Sequence, residues 1–524
     1  MKRTSTRRNF LRRTISSAAA AELGILIRPN RLSAASAPRK DPASHLKLGW
    51  TDKLKWDNII DITKISGSDW ADRLKNAQRR LRTNGGGVVY FPAGKYVFTN
   101  SIYLEDGILL RGATPGAITG AKESTYKPST EFEFPRFVPS LSGYGTSIET
   151  AFKGIYLKNP ATDSNCGIVD ISMNRGHIHL GQAEGYKSGS NRMVFGCMLR
   201  NAAIADPDVP DLSIVQKPWQ RFTKWHWAAV SVKTYNNALL ANNRLAPSDE
   251  SYLMKGYVIK ARDNRIDTKE FDVWFDYDFR PGLECNDACI GAPGGNEPSG
   301  TPETHPWGFR KGIVICDNYI HSTGRNAIEF SGDGTICARN TIRFKKDVWR
   351  QTVKGFKESS GSSTTDTRPV QMRGWRWIVE DNDYEVYRNW AADHKYHIND
   401  GEGLMHENHC NAHIKDSRLA GNRGNAYLSL YKTGGIDGLL IESNEVSVDR
   451  GMAIFVDADH SSDRRGYCRN VKILNNRTVG GILIRGNPAA NNFVGGNVNI
   501  GPTASIRNEA NARLQANKGY EFDA

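Results

Sequence analysis

The sequence predicts an all-β fold, a single-stranded parallel β-helix in which one chain winds as a solenoid. Three observations carry this reading. A short motif recurs: an apolar pair, two or three spacer residues, Asn or a small substitute, then another apolar residue. It reads Leu239-Leu240-Ala241-Asn242-Asn243-Arg244-Leu245, then Val314-Ile315-Cys316-Asp317-Asn318-Tyr319-Ile320, then Ile336-Cys337-Ala338-Arg339-Asn340-Thr341-Ile342. Another copy runs from Val258-Ile259 to Asn264-Arg265-Ile266, weaker ones surround Asn382 and Ser417, and clear ones resume at Asn444, Asn476 and Asn497. The period is that of an array: 22 residues from Asn318 to Asn340, 32 from Asn444 to Asn476 and 21 from Asn476 to Asn497. Finally, the intervening segments are short, alternating and rich in Ile, Val and Phe, with Gly and Asn at the breaks, so they are strands. A propeller would need hairpin turns between four antiparallel strands per blade, and the sequence lacks them. Asn suits the bends because it tolerates left-handed backbone angles, and stacked Asn side chains hydrogen-bond from coil to coil.

The elements follow in chain order. Thr6-Arg7-Arg8-Asn9-Phe10-Leu11-Arg12 resembles the twin-arginine export motif, with Arg12 where Lys is usual, and a small-apolar stretch leads to Ala35-Ser36-Ala37 before Pro38. The resemblance implies an export signal over 1–37 and a periplasmic or secreted protein. Half of the formal charge of +14 lies in this leader, where eight Lys and Arg stand against Glu22 alone. The rest of the chain keeps a mild basic bias, which favours an anionic ligand but is too weak to indicate nucleic acid. With 39% hydrophobic and 10% aromatic residues the 524-residue chain is globular. It has no apolar run of the roughly 20 residues that a membrane span requires.

Residues 38–68 form an N-terminal extension. From Asp69 to Leu81, apolar residues at Trp70, Leu74, Ala77 and Leu81 have helical spacing, and this amphipathic helix would cap the open end of the solenoid. Gly85-Gly86-Gly87-Val88-Val89-Tyr90-Phe91-Pro92-Ala93-Gly94-Lys95-Tyr96-Val97 follows, then Ile102 to Leu104 and Ile108 to Gly112. This block resembles the N-terminal coil of the pectate lyase-like superfamily. The resemblance covers 69–112 and implies a right-handed β-helix acting on polysaccharide, as a lyase or a polygalacturonase-type hydrolase; it supplies no catalytic residue. The repeat extends the solenoid over 69–501, with long insertions at 205–228 and 345–400, and leaves 502–524 as a tail.

Eight cysteines, Cys166, Cys197, Cys285, Cys289, Cys316, Cys337, Cys410 and Cys468, show no CxxC pairing, so a zinc site is not expected. Cys285 and Cys289 are close enough for a local disulfide; several others fall in the repeat, as small buried thiols. Asp272, Asp276 and Asp278 alternate and would share one strand face as solvated acids, a calcium site or a catalytic pair. The Trp groups 219, 225, 227 and 375, 377, 390 either flank a sugar-binding groove or pack beneath the insertions.

The chemistry is expected on the strands that follow each Asn bend. Alternation places Ile328, Phe330, Leu404, Leu428, Leu430, Ile454, Val456, Ile482 and Ile484 inside. Outward or strand-end positions then read Glu329, Glu407, Tyr431 with Lys432, Asp457 with Asp459, and Arg485, with His406, His409 and His460 at the edge. Glu407 and Asp457, two coils apart, would lie roughly 9–10 Å from one another, against the 6.5–9.5 Å of inverting glycosidases. Asp459 would keep one carboxyl protonated by like-charge repulsion. The expectation is a polysaccharide-cleaving hydrolase using Glu407, Asp457 and Asp459, with no cofactor required. A lyase or uronate epimerase, relying on Lys432, Tyr431, His409, His460 and Arg485 and leaving room for calcium, stays open. So does a carbohydrate-binding surface protein.

Overall fold

The computed structural model describes residues 40–113, 128–135, 153–181, 189–200, 230–246, 253–258, 269–274, 283–285, 311–322, 326–346, 368–388, 403–407, 414–431, 435–461, 464–488 and 491–523. They wind as the expected parallel β-helix, coiling in the right-handed sense that parallel crossovers take. Each coil contributes a strand to each of three faces. The first face begins with Ile59–Asp61 paired to Gly87–Phe91 and ends with Arg513–Gln515. The second and third join where the long strands Glu445–Asp457 and Arg477–Arg485 run through the corner between them.

One backbone template sets the coils. Two residues with left-handed angles bracket each four-residue stretch of the first face: Asn165 and Asp170, Asn191 and Gly196, Asn237 and Asn242, Gly312 and Asp317, and onward to Asn511 and Ala516. The next residue is the ladder asparagine. From Asn243 through Asn318, Asn340, Asn382, Asn422, Asn444, Asn476 and Asn497 to Asn517, each Nδ2 donates to the next Oδ1 at 2.9–3.1 Å. Each main-chain N–H donates to that same oxygen, and the second amide hydrogen goes to a carbonyl such as Ile315 O or Cys337 O. The left-handed angle therefore falls one residue before the ladder Asn. What selects Asn is its amide, which satisfies two donors and two acceptors in a corner that is buried from Asn243 to Asn497.

The interior is as alternation requires: Ile328, Phe330, Leu428, Leu430, Ile454, Val456, Ile482 and Ile484 are all fully buried, and Leu404 stands in register between Val370 and Leu428. Helix Trp70–Arg82 caps the N-terminal end. Asp69 accepts from Asp72 N at 2.8 Å, while Leu74, Ala77 and Leu81 pack on the first coil. Buried Gln78 donates to Tyr103 O and accepts from Glu105 N, both at 3.0 Å, closing a strand edge. The N-terminal extension lies on the outside of the first face, where Ala43, Leu46, Trp50, Leu54 and Trp56 cover Val88, Leu109, Val169 and Phe195.

Three expectations change. Val258 ends the strand Leu253–Val258, which pairs antiparallel with Lys269–Trp274, and the ladder passes directly from Asn243 to Asn318. That apolar run is thus a hairpin between coils and not a copy of the repeat. The copy assigned at Ser417 is centred on Asn422; Ser417 lies within the strand Ile414–Ala420, its hydroxyl donating to Lys415 O. The segment expected as a tail carries Ala504–Glu509, Arg513–Gln515 and Tyr520–Asp523, which pair in register and continue the solenoid past residue 501. Among the described residues, no helix is long and apolar enough to cross a membrane. The leader and its twin-arginine motif lie outside the described residues.

Candidate functional site

The third face carries one unbroken outward row, a consequence of strand alternation held in register from coil to coil. It starts at Tyr103, Tyr156, His179 and Ser231. It continues through Glu284, Glu329, Gln371 and Met405, then Ser429, Phe455, Leu483 and Arg507. Glu329, Gln371 and Ser429 are buried although they point away from the solenoid interior, so the outer face is covered there.

A second outward row lies two residues further along the same strands. Glu407 stands in register with Tyr431, the next position of the following pair brings Tyr431 opposite Asp457, and Asp457 pairs with Arg485 and Arg485 with Glu509. The expected juxtaposition of Glu407 and Asp457 two strands apart is present, with Tyr431 on the strand between them. Arg485 Nη2 is 3.1 Å from Asp457 Oδ2, and Arg485 Nε is 3.8 Å from Glu509 Oε2. Beneath Asp457 lies Cys468, whose thiol is pushed up to about 12 by burial and then by the Asp457 charge.

Other expected site residues are distributed differently. Asp459 and His460 leave the row: Asp459–Ser461 forms an antiparallel ribbon with Arg464–Arg465, in which Asp459 is opposite Arg465. The chain has turned off the sheet after Asp457, so Asp459 is not its in-row neighbour. His406 occupies the inward register row, between Met372 and Leu430, both buried. Glu329 is in the first outward row, offset from Glu407 along the strands. His409 and Lys432 lie outside the described residues.

Among the described residues no group of three or more His, Cys, Asp or Glu side chains could hold a metal ion. Asp272 belongs to the hairpin strand Lys269–Trp274, and Asp276 and Asp278 lie outside the described residues. Trp377 is fully buried in the solenoid core; Trp375 is half-buried under the Lys415 ammonium, 5.4 Å from its ring, and the other four of these tryptophans lie outside. Cys166, Cys197, Cys316, Cys337 and Cys468 are free and buried, as the repeat predicts; Cys289 and Cys410 lie outside the described residues.

Sequence reasoning missed the N-terminal end of the first row, where Tyr156 Oη and His177 Nε2 are 2.8 Å apart in a buried contact and His179 stands alongside. The alternating His177-Ile178-His179 was the available signal.

No known family matches the chain, and no curated protein matches its sequence. Solved structures are similar at low identity. PfbA, a surface adhesin of Streptococcus pneumoniae, is 12% identical over 88% of this chain and 90% of its own, with a TM-score of 0.39. The A-module of the Azotobacter vinelandii mannuronan C-5 epimerase AlgE6 is 11% identical over 88% and 99%, with a TM-score of 0.33. A double mutant of the tailspike protein of E. coli bacteriophage HK620 is 10% identical over 88% and 79%, with a TM-score of 0.41.

Proposed function

We propose that this protein is an exported enzyme that binds a polysaccharide along the third face and hydrolyses its glycosidic bonds at the row from Glu407 to Arg485. The carrying observation is the register of Glu407 and Asp457, two strands apart and so roughly 9–10 Å at the backbone. That lies at the upper end of the spacing with which inverting glycosidases seat a water between acid and base. Asp457, ion-paired with Arg485, suits the base that activates the water. Glu407 then has the acid's part, protonating the leaving oxygen. Asp459 has no part, having left the row. The test is a screen of neutral and uronate-containing polysaccharides for new reducing ends, repeated with Glu407→Gln and Asp457→Asn. Each variant should fold normally and lose at least about 100-fold in turnover, since general acid–base catalysis contributes 10²–10⁴. Near-native turnover in both would remove the assignment.

One observation favours a second reading. Tyr431 occupies the strand between the two carboxylates, where it could act as a proton-transfer group in β-elimination or epimerisation of a uronate, with Arg485 facing the sugar carboxylate. Elimination products carry a double bond and absorb in the ultraviolet, so absorbance separates the two readings in the same screen. Export by the twin-arginine route is tested by Arg7→Lys with Arg8→Lys, which should hold precursor in the cytoplasm.

A further inference from the structure

The two ends of the solenoid are unlike. Helix Trp70–Arg82 closes the N-terminal one, packing Leu74, Ala77 and Leu81 on the first coil while Gln78 ties down a strand edge. At the C-terminal end nothing among the described residues plays that part. The inward column of the third face runs in register through Ile454, Ile482, Ile506 and Phe522. The first three are fully buried, whereas Phe522 is 56% exposed. On the first face Val494 is fully buried and its register partner Leu514 only half-buried. The polar ladder stops in the same way. Each ladder asparagine from Asn243 to Asn497 gives its main-chain N–H and one amide hydrogen to the next Oδ1. Asn517 accepts from Asn497 and donates to Val494 O, but among the described residues no next oxygen meets its other two donors. The outer edges of Arg513–Gln515 and Tyr520–Asp523 likewise pair with no described strand. Bare strand edges beside an exposed apolar column are a template for another chain.

The charges of this end say which chain. The last coil carries Arg513 on the first face and Lys518 on the second, against Glu521 and Asp523 on the third. Arg513, Lys518 and Glu521 are exposed. Opposite signs thus lie on different faces of one end. A two-fold axis running across the solenoid reverses strand direction and exchanges the third face with one of the other two. It therefore lays the acidic strand of each copy antiparallel to a basic edge of the other, and makes that contact twice. An axis through the third face would set the acidic strand against itself, which like charges disfavour. Stacking head to tail would need an open N-terminal end, and the helix occupies it. Association at this end therefore closes at two copies.

We infer that the C-terminal end of the solenoid binds a second copy of this chain, end to end about a two-fold axis. Glu521 of each copy faces a basic edge of the other, and Leu514 and Phe522 are covered between them. The inference stands apart from the proposed reaction, but it bears on its place. Two strand steps separate this end from the strand of Arg485, roughly 10 Å along the axis. The second copy would wall the row of Asp457 and Arg485 on that side.

The experiment is sedimentation velocity of the full chain over a concentration series, which should show monomer and dimer in equilibrium and no larger species. Glu521→Lys makes the end basic on every face except at Asp523, and Arg513→Glu with Lys518→Glu makes it acidic. Each variant alone should weaken self-association at least about tenfold, because every contact then sets like charges together. The positions are exposed, so the melting temperature of the monomer should not change. Mixing the two variants should restore a one-to-one complex, since the charges are again opposite across both contacts. Phe522→Ser should weaken the dimer as well, and serves if a charge variant is destabilised. A monomer at every concentration would overturn the inference. So would a dimer that none of these substitutions weakens, open-ended assembly beyond two copies, or a mixture of the charge variants that forms no complex.

Discussion

Arg485 Nη2 stands 3.1 Å from Asp457 Oδ2 across one strand step, and its Nε reaches toward Glu509 on the following strand. Asp457 is buried, and this cation contributes to the compensation for holding a carboxylate under cover. Removing it should cost less than breaking a fully buried pair, because the Arg485 side chain is 32% exposed. Arg485→Met is expected to lower unfolding free energy by about 1–2 kcal/mol. Turnover should fall far more than stability, since the base would lose the group that holds it in place. Chemical denaturation alongside steady-state rates checks this; a loss of stability with unchanged turnover would make the pair purely structural.

The asparagine ladder should be the most sensitive polar feature of the fold. Asn422→Ala strands the Asn382 amide and main-chain N–H, which both donate to Asn422 Oδ1, and deprives Val379 O and Asn444 Oδ1 of a donor. The expected cost is about 2–4 kcal/mol, several unsatisfied buried groups at roughly 1 kcal/mol or more each. Asn517→Ala, at the end of the described ladder, strands the Asn497 donors and deprives Val494 O of a donor at a half-buried position, and should cost about half as much. Urea unfolding of the two variants orders them, and the transition should broaden because coils contact only their neighbours.

The ladder also shows how far the sequence could be read. Asn318, Asn340, Asn444, Asn476 and Asn497 were legible because an apolar strand precedes each and another follows. Asn422 was not: it is followed by Arg423-Gly424, a strand of two residues with no apolar signal, and Gly424 leaves room for the Tyr384 ring. Val258 misled because an apolar run has the same look in a hairpin as in a coil until its partner strand is known. Placing Glu407 and Asp457 two strands apart needed only the repeat and period-2 alternation. The same rule, applied strictly from Leu404, puts His406 inside. Asp459 could not be placed from alternation, because the chain leaves the sheet after Asp457 and alternation has no meaning across a turn. The Tyr156–His177 contact joins strands of coils that precede the ladder, and no motif aligned them.

The buried thiols should be silent. Burial pushes Cys166 up to about 12, the Arg192 charge opposing only weakly, and raises Cys197, Cys316 and Cys337 as well. The reactive thiolate is thus scarce in the folded state at any pH below these values, whereas an unfolded cysteine ionises near 8.5. At pH 8 in native buffer, iodoacetamide followed by peptide mass mapping should leave Cys166, Cys197, Cys316, Cys337 and Cys468 unlabelled, and all five should label in urea. Rapid native labelling at Cys197 or Cys337 would contradict the interior placement of their coils.

Tyr431 decides between hydrolysis and elimination, because it stands on the strand between the two carboxylates. In the hydrolase a water must reach the anomeric carbon from the side of Asp457, and Tyr431 at most helps to hold the sugar. Tyr431→Phe removes one hydroxyl and should then cost about 0.5–1.5 kcal/mol of transition-state binding, the net value of a neutral hydrogen bond. That is roughly a threefold to tenfold loss in kcat/KM, with reducing ends still formed and no ultraviolet absorbance. In the elimination reading the phenol is the group that moves the proton, so the same change should cost at least about 100-fold, while Glu407→Gln leaves much of the activity. The pair of variants, assayed on one polysaccharide that the native protein cleaves, gives opposite patterns for the two chemistries. A large loss in Tyr431→Phe with a small one in Glu407→Gln, and products absorbing in the ultraviolet, would overturn the hydrolase while leaving the third face as the place of reaction.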